Sequence, residues 1–226
     1  MYYTITKRND GFGAQYQNII FGILYTELCL KGIYIHKKIE KIEHNYNNDP
    51  LFLQEIENLM NLHSFENEII KNVIELSIKD IYPWVEQNID YCLNSTTMKK
   101  IRKCFWENKV KTNVSVAIHI RRLNCMDDRI EGTNVPNEYF LNKCKLNKNC
   151  CIYSQGDISQ FKEFENHTLY LNENVSKTFI DLVSADILVT SPSSFSYTAA
   201  LLNENIIYYY PFWHKPSVFW KNGTKF

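Results

Sequence analysis

The sequence predicts an α/β protein, with a helix-rich N-terminal half and a C-terminal half built on a parallel sheet. From residue 114 onward, short apolar runs of strand length alternate with stretches of helical periodicity, the signature of strand–helix–strand crossovers. Between about residues 50 and 110 helical periodicity prevails. The 226 residues suffice for one large domain or two small ones, and the change of pattern puts a boundary near residue 110, giving 1–110 and 111–226.

Residues 2–6 form a strand candidate, which Asn9-Asp10-Gly11-Phe12-Gly13 ends as a turn. Ile19, Ile20, Ile23, Leu24 and Leu28 recur at helical spacing, Gly32 suits the helix C-cap, and residues 32–36 resume as a strand. Gly11 and Gly13 ahead of this helix would let its first backbone amides face a ligand. They fit equally a tight turn with positive φ. Residues 37–49 are a polar loop. Helical spacing marks 51–62, 69–78 and 81–93, and Ser95-Thr96-Thr97 caps a helix reaching about Trp106. The aromatics here, Trp84, Phe105 and Trp106, read as core. In the second half, strands are expected at 114–120, 151–154, 168–171, 187–190 and 206–210. Helices are expected at 136–145, 158–164, 175–185 and 195–202.

Hydrophobic residues make up 45% and charged residues 22% of the chain, as in ordinary globular proteins. Lysine plus arginine equals aspartate plus glutamate, 25 of each, so no global field draws the chain to nucleic acid or anionic lipid. Any anion site must be local. The seven cysteines are odd in number and contain no C-x-x-C pair, which argues for reduced thiols and against zinc. The N-terminus shows no basic n-region followed by an apolar h-region, so no signal peptide is expected. The apolar run at 19–30 is too short to span a bilayer, so a soluble, cytoplasmic chain without a membrane span is expected.

Three stretches could carry chemistry. Val114-Ser115-Val116-Ala117-Ile118 runs as a strand buried on both faces into His119, Ile120, Arg121 and Arg122. Ligands of open α/β sheets bind outside the carboxyl ends of strands, and guanidinium groups there can grip phosphate or carboxylate. A solvated pair, or one bonded to a nearby aspartate, is the plainer alternative. Thr190-Ser191-Pro192-Ser193-Ser194-Phe195-Ser196 lies between a strand and a helix, where hydroxyls cap free amides and can also cradle an anion. Tyr153-Ser154-Gln155-Gly156-Asp157 ends another strand, with Asp157 suited to an N-cap. There is no P-loop, D-x-D, H-E-x-x-H or G-x-S-x-G motif, so a bound diphosphate would be neutralised by arginine and amides rather than by a metal.

These stretches are similar to a known family. His119-Ile120-Arg121-Arg122 resembles the H-x-R-R motif of the fucosyltransferase superfamily, which comprises the α-1,2-, α-1,6- and protein O-fucosyltransferases. Ser193-Ser194-Phe195-Ser196 resembles the S-S-F-S segment of the α-1,2 group. Gly11-Phe12-Gly13-Ala14-Gln15 resembles the family's G-x-G-N-Q loop, and Tyr153-Ser154 before Asp157 its F-S-D-D element. The four occur in family order. The resemblance implies a GT-B-like fold of two Rossmann-like domains, the N-terminal one reduced and on the acceptor side, the C-terminal one binding nucleotide sugar. It implies inverting, metal-independent transfer from GDP-fucose to a glycan hydroxyl, with no cofactor. Arg121 or Arg122 would stabilise the departing diphosphate. Donor contacts would come from His119, Ser193, Ser194, Phe195, Ser196, Gly11, Gly13, Gln15 and Asp157. Leu123-Asn124 stand where the family has Gly-Asp, and Ala14 where it has Asn. Another deoxysugar donor, or a protein that binds nucleotide or glycan without turnover, therefore stays open. Asp10, Asp127, Asp128, Glu138 and Asp157 are candidates for a general base.

Overall fold

A computed structural model describes residues 1–43, 49–66, 72–122, 135–145 and 149–223. They fall into two compact units, Met1–Val110 and Lys111–Phe226, each mixed α/β around parallel strands.

In the first unit, β1 (Tyr2–Ile5) leads into α1 (Phe12–Leu24), which continues as a π-helical turn over Tyr25–Cys29, and then into β2 (Ile33–Tyr34). Next come α2 (Phe52–Met60), β3 (Ile74–Leu76), α3 (Ile78–Gln87), α4 (Ile89–Asn94) and α5 (Thr96–Trp106). The sheet order is β2-β1-β3, all parallel. Helix α1 is buried almost all round, from Phe12 through Leu24. Gly22 allows it to lie close to β1, because a Cβ there would run into Ile5 Cγ2.

Three expectations need correcting in this unit. The helix expected at 69–78 is absent where the chain is described: Ile74–Leu76 is β3, paired with Tyr3–Ile5, and 67–71 lie outside the described residues. Gly32 is not the left-handed cap. Lys31 takes the positive φ of 52°, and Gly32 is needed because a side chain there would strike the Tyr3 ring. The helix expected over 81–93 is two, parted at Asn88.

The second unit contains β4 (Val116–Ile120), α6 (Asn137–Cys144), β5 (Cys151–Ser154), a 3-10 stretch Ile158–Phe164 broken at Phe161, and β6 (Thr168–Leu171). Then follow α7 (Val175–Ser184), β7 (Ile187–Val189), α8 (Ser194–Leu202), β8 (Ile206–Tyr209) and β9 (Lys221–Asn222). All six strands are parallel, in the order β6-β5-β4-β7-β8-β9. Counted within the unit this is 3-2-1-4-5-6, the doubly wound order. The chain starts at the centre, winds outward to β6, returns, and winds outward the other way from β7. The direction reverses between β4 and β7.

The strand period of two sorts the side chains of β4. Val116, Ile118 and Ile120 join Ile152, Val189, Phe140, Phe161 and Phe164 in one buried cluster. His119 turns the other way, its ring 5.4 Å from that of Phe195, which in turn lies 5.3 Å from Phe179 of α7. Beyond β8, the rings of Tyr197, Tyr209, Phe212, His214 and Trp220 pack on one another and bind the C-terminal segment to α8.

Candidate functional site

The carboxyl ends of β4 and β7 meet where the winding reverses, the position at which open α/β sheets leave a crevice for ligands. One residue knits them together. The Ser191 hydroxyl accepts from the backbone N–H of Arg121 at 3.2 Å and shares a 3.0 Å hydrogen bond with His119 Nδ1. The next strand end is held too, since Ser154 Oγ donates to the Ile120 carbonyl at 2.7 Å.

The serine loop divides its labour. Ser193 caps α8 by accepting from the Phe195 N–H at 3.3 Å. Ser196 is fully buried; its hydroxyl accepts from Ser191 N at 3.4 Å and lies 3.3 Å from the Ser191 carbonyl. Ser194 and Phe195, by contrast, are partly accessible at the first turn of α8, where the helix dipole favours an anion. Thr190 is fully buried and ties the loop to β8, accepting from the Tyr210 N–H at 3.2 Å.

His119 is 8% exposed, and burial, reinforced by the Arg121 charge, lowers its pKa to about 3. Near neutrality it is an uncharged imidazole, wedged between Ser191 and the Phe195 ring. Arg121 sits beyond it on the same alternation, with its charge felt at that imidazole.

Arg122 has different surroundings. Its guanidinium lies over the Phe161 ring, 5.6 Å from the centroid, and donates to the Val135 carbonyl at 3.2 Å and to Asn137 Oδ1. Asn137 in turn donates to Glu163 Oε2 at 2.5 Å. Burial lowers the Arg122 pKa, and Glu163 offsets part of that. The two arginines thus share a strand end but not a setting. Arg121 is tied to the serine loop through its backbone N–H and its charge reaches His119, while the Arg122 guanidinium is bound into the α6 side of the sheet.

The remaining candidates fill local structural roles. Asp157 is exposed and caps the 3-10 stretch, accepting from Ser159 N at 2.8 Å; hydrogen bonding from the Ser159 side chain, then from its backbone N–H, lowers the Asp157 pKa. Gly156 before it has φ +129° and exchanges hydrogen bonds with Asn172, both at 3.0 Å. In the first unit, Gly11 is the extended N-cap of α1, with φ −63° rather than positive φ, and Gly13 lies within the helix. Gln15 is buried, and its amide donates to the Asp10 and Lys41 carbonyls at 2.7 and 2.8 Å, so it holds the loop ahead of the helix. Among the general-base candidates, Asp10 is gripped by Arg8 and Glu138 is exposed on α6. Asp127 and Asp128 lie outside the described residues.

Sequence reading underrated two residues. Ser191 joins the strand ends, and its signal was a small hydroxyl directly after an apolar strand. Asp181, buried on α7, accepts from the Tyr153 hydroxyl at 3.1 Å beneath the β5 end; nothing local in the sequence marks that pairing.

Fold and site together define a doubly wound α/β unit with a buried polar loop and an arginine at its reversal point. No family model matches the chain, and no curated protein matches it. Two crystal structures of POFUT1 in complex with GDP are similar to it. One is 12% identical with a TM-score of 0.45, covering 90% of this chain and 94% of that chain; the other is 11% identical with a TM-score of 0.44, covering 90% and 95%. At such values the reading of the site rests on its own geometry.

Proposed function

We propose that the chain is an inverting, metal-independent glycosyltransferase of GT-B-like architecture that moves a sugar from a nucleoside diphosphate donor, fucose from GDP-fucose, to a glycan hydroxyl. The observation that carries this reading is the junction at the point of reversal, where Arg121 N reaches Ser191 Oγ at 3.2 Å. There the H-x-R-R strand end and the S-S-F-S helix start are joined. A diphosphate leaving group gains negative charge as the glycosidic bond breaks. A guanidinium and helix-start amides fixed in advance stabilise that change more than they stabilise the ground state. Arg121 takes this part. Arg122, held by Val135, Asn137 and Phe161, is a positioning residue for the strand end. His119, neutral and buried, keeps Ser191 and Phe195 in place without adding charge beside Arg121.

One observation favours a second reading, a protein that binds nucleotide sugar without turnover. Two of the described carboxylates near the motif loops already have partners: Asp10 holds Arg8 and Asp157 caps the 3-10 stretch. A thermal-shift panel of nucleotide sugars, followed by assay of free sugar, separates the two. Stabilisation by GDP and GDP-fucose with slow release of fucose is the result expected of the enzyme. Stabilisation with no sugar released or transferred, over a range of glycan acceptors, indicates the binder. Indifference to every nucleotide defeats both.

A further inference from the structure

At the amino-terminal edge of the six-stranded sheet, the end away from the serine loop, lies a second cluster. Cys144 ends α6, Cys150 directly precedes β5, and His167 directly precedes β6. The Thr168 N–H donates to the Cys150 carbonyl at 3.0 Å, which sets the last two side by side. The two Sγ atoms and a ring nitrogen of His167 all lie within 4.8 Å of one another. We propose that Cys144, Cys150 and His167 form a structural site for a thiophilic divalent cation, zinc by preference, that pins the end of α6 to the starts of β5 and β6.

Four observations converge on this. The ligand types are those of zinc, and bond lengths of about 2.3 Å to sulfur and 2.0 Å to nitrogen bring tetrahedral ligands to about 3.5–3.8 Å of one another, a small contraction from the spacing seen. The two cysteines are 5% and 0% exposed, within the cluster formed by Phe140, Phe161 and Phe164. Two thiolates balance a divalent cation, so the loaded site adds no net charge to these apolar surroundings. Finally, His167 Nδ1 is buried and has no hydrogen-bond partner, a cost that ligation, or the polarisation that accompanies it, would offset.

Binding is a proton exchange: the cation enters, two thiol protons leave to solvent, and nothing is oxidised. Three protein ligands leave a fourth position for water. The C-x5-C spacing does not resemble a zinc motif, and the histidine comes from a different strand end, so the sequence alone gave no cue.

The test uses the full chain, reduced and metal-free, titrated with Co2+ alone. The expected result is a thiolate-to-cobalt charge-transfer band with tetrahedral visible bands, saturating at one ion per chain and bleached by equimolar Zn2+. Cys144→Ser and Cys150→Ser abolish the band, whereas Cys29→Ser, in the other unit, retains it. Saturating Zn2+ raises the Tm of the unaltered chain by about 5–10 °C. The site is refuted if the unaltered reduced chain gives no band, or if the band survives in the Cys144/Cys150 double variant. It is refuted equally if aeration joins Cys144 to Cys150 as a disulfide while the reduced form ignores Co2+. The primary readout needs no variant, so a substitution that fails to fold leaves it intact. The outcome is independent of nucleotide binding at the opposite end of the sheet.

Discussion

His119 illustrates how one buried side chain can hold a strand-end junction together. Its ring lies between the Ser191 hydroxyl and the Phe195 ring, and burial holds its pKa near 3, against 6.5 for an ordinary histidine. Folding therefore favours the neutral ring. Above pH 6.5 both folded and unfolded chains carry it neutral, and its contribution to stability is fully present. As the pH falls from 6.5 toward 3, the unfolded chain takes up a proton that the folded chain refuses, and that stability is progressively lost. Urea unfolding between pH 7 and 4.5 should show a falling midpoint for the native chain. His119→Gln, though less stable at pH 7, should show a flatter dependence over the same interval. Parallel slopes in the two proteins would mean that His119 is not the group responsible.

At the scale of elements, the start of α8 depends on Ser193, whose hydroxyl accepts the Phe195 N–H. Ser193→Ala should cost about 1 kcal/mol, a Tm loss of about 2–4 °C, whereas Ser193→Gly should cost only a few tenths. A differential scanning melt checks both, and equal losses would argue that the cap is not what the hydroxyl provides. Elements were legible where the local pattern was unambiguous. Cys151–Ser154 and Thr168–Leu171 were read to the residue because each is a short strand bounded by turn or helix-breaking residues. Ile74–Leu76 was misread as helix because three residues are too few for a period of two to declare itself, and its identity comes from pairing with β1, a contact 71 residues away in sequence. Residue roles followed the same rule. The capping serine was visible locally. The division between Arg121 and Arg122 was not, because it depends on Val135, Asn137 and Phe161 arriving from α6 and the 3-10 stretch.

The whole chain has a formal net charge of zero, so it offers an anion no long-range attraction, and in the proposed reading selectivity comes from the reversal point of the second unit. Among the described residues, no helix is long and apolar enough to cross a membrane. Among the described residues the two units have parallel sheets of unequal size, three strands in Met1–Val110 and six in Lys111–Phe226, and the stronger candidate site belongs to the larger. That asymmetry locates the decisive test. Calorimetric titration of GDP into the full chain, with no added divalent cation, should give one site in the native protein. Arg121→Ala should weaken it by about 30-fold or more, in line with the loss of a charge-assisted contact of about 2 kcal/mol or more. Arg122→Ala should lower Tm while leaving most of the affinity in the folded fraction. Unaltered GDP affinity in Arg121→Ala, or no GDP binding by the native chain, would contradict the assignment of the β4–β7 junction as a diphosphate site.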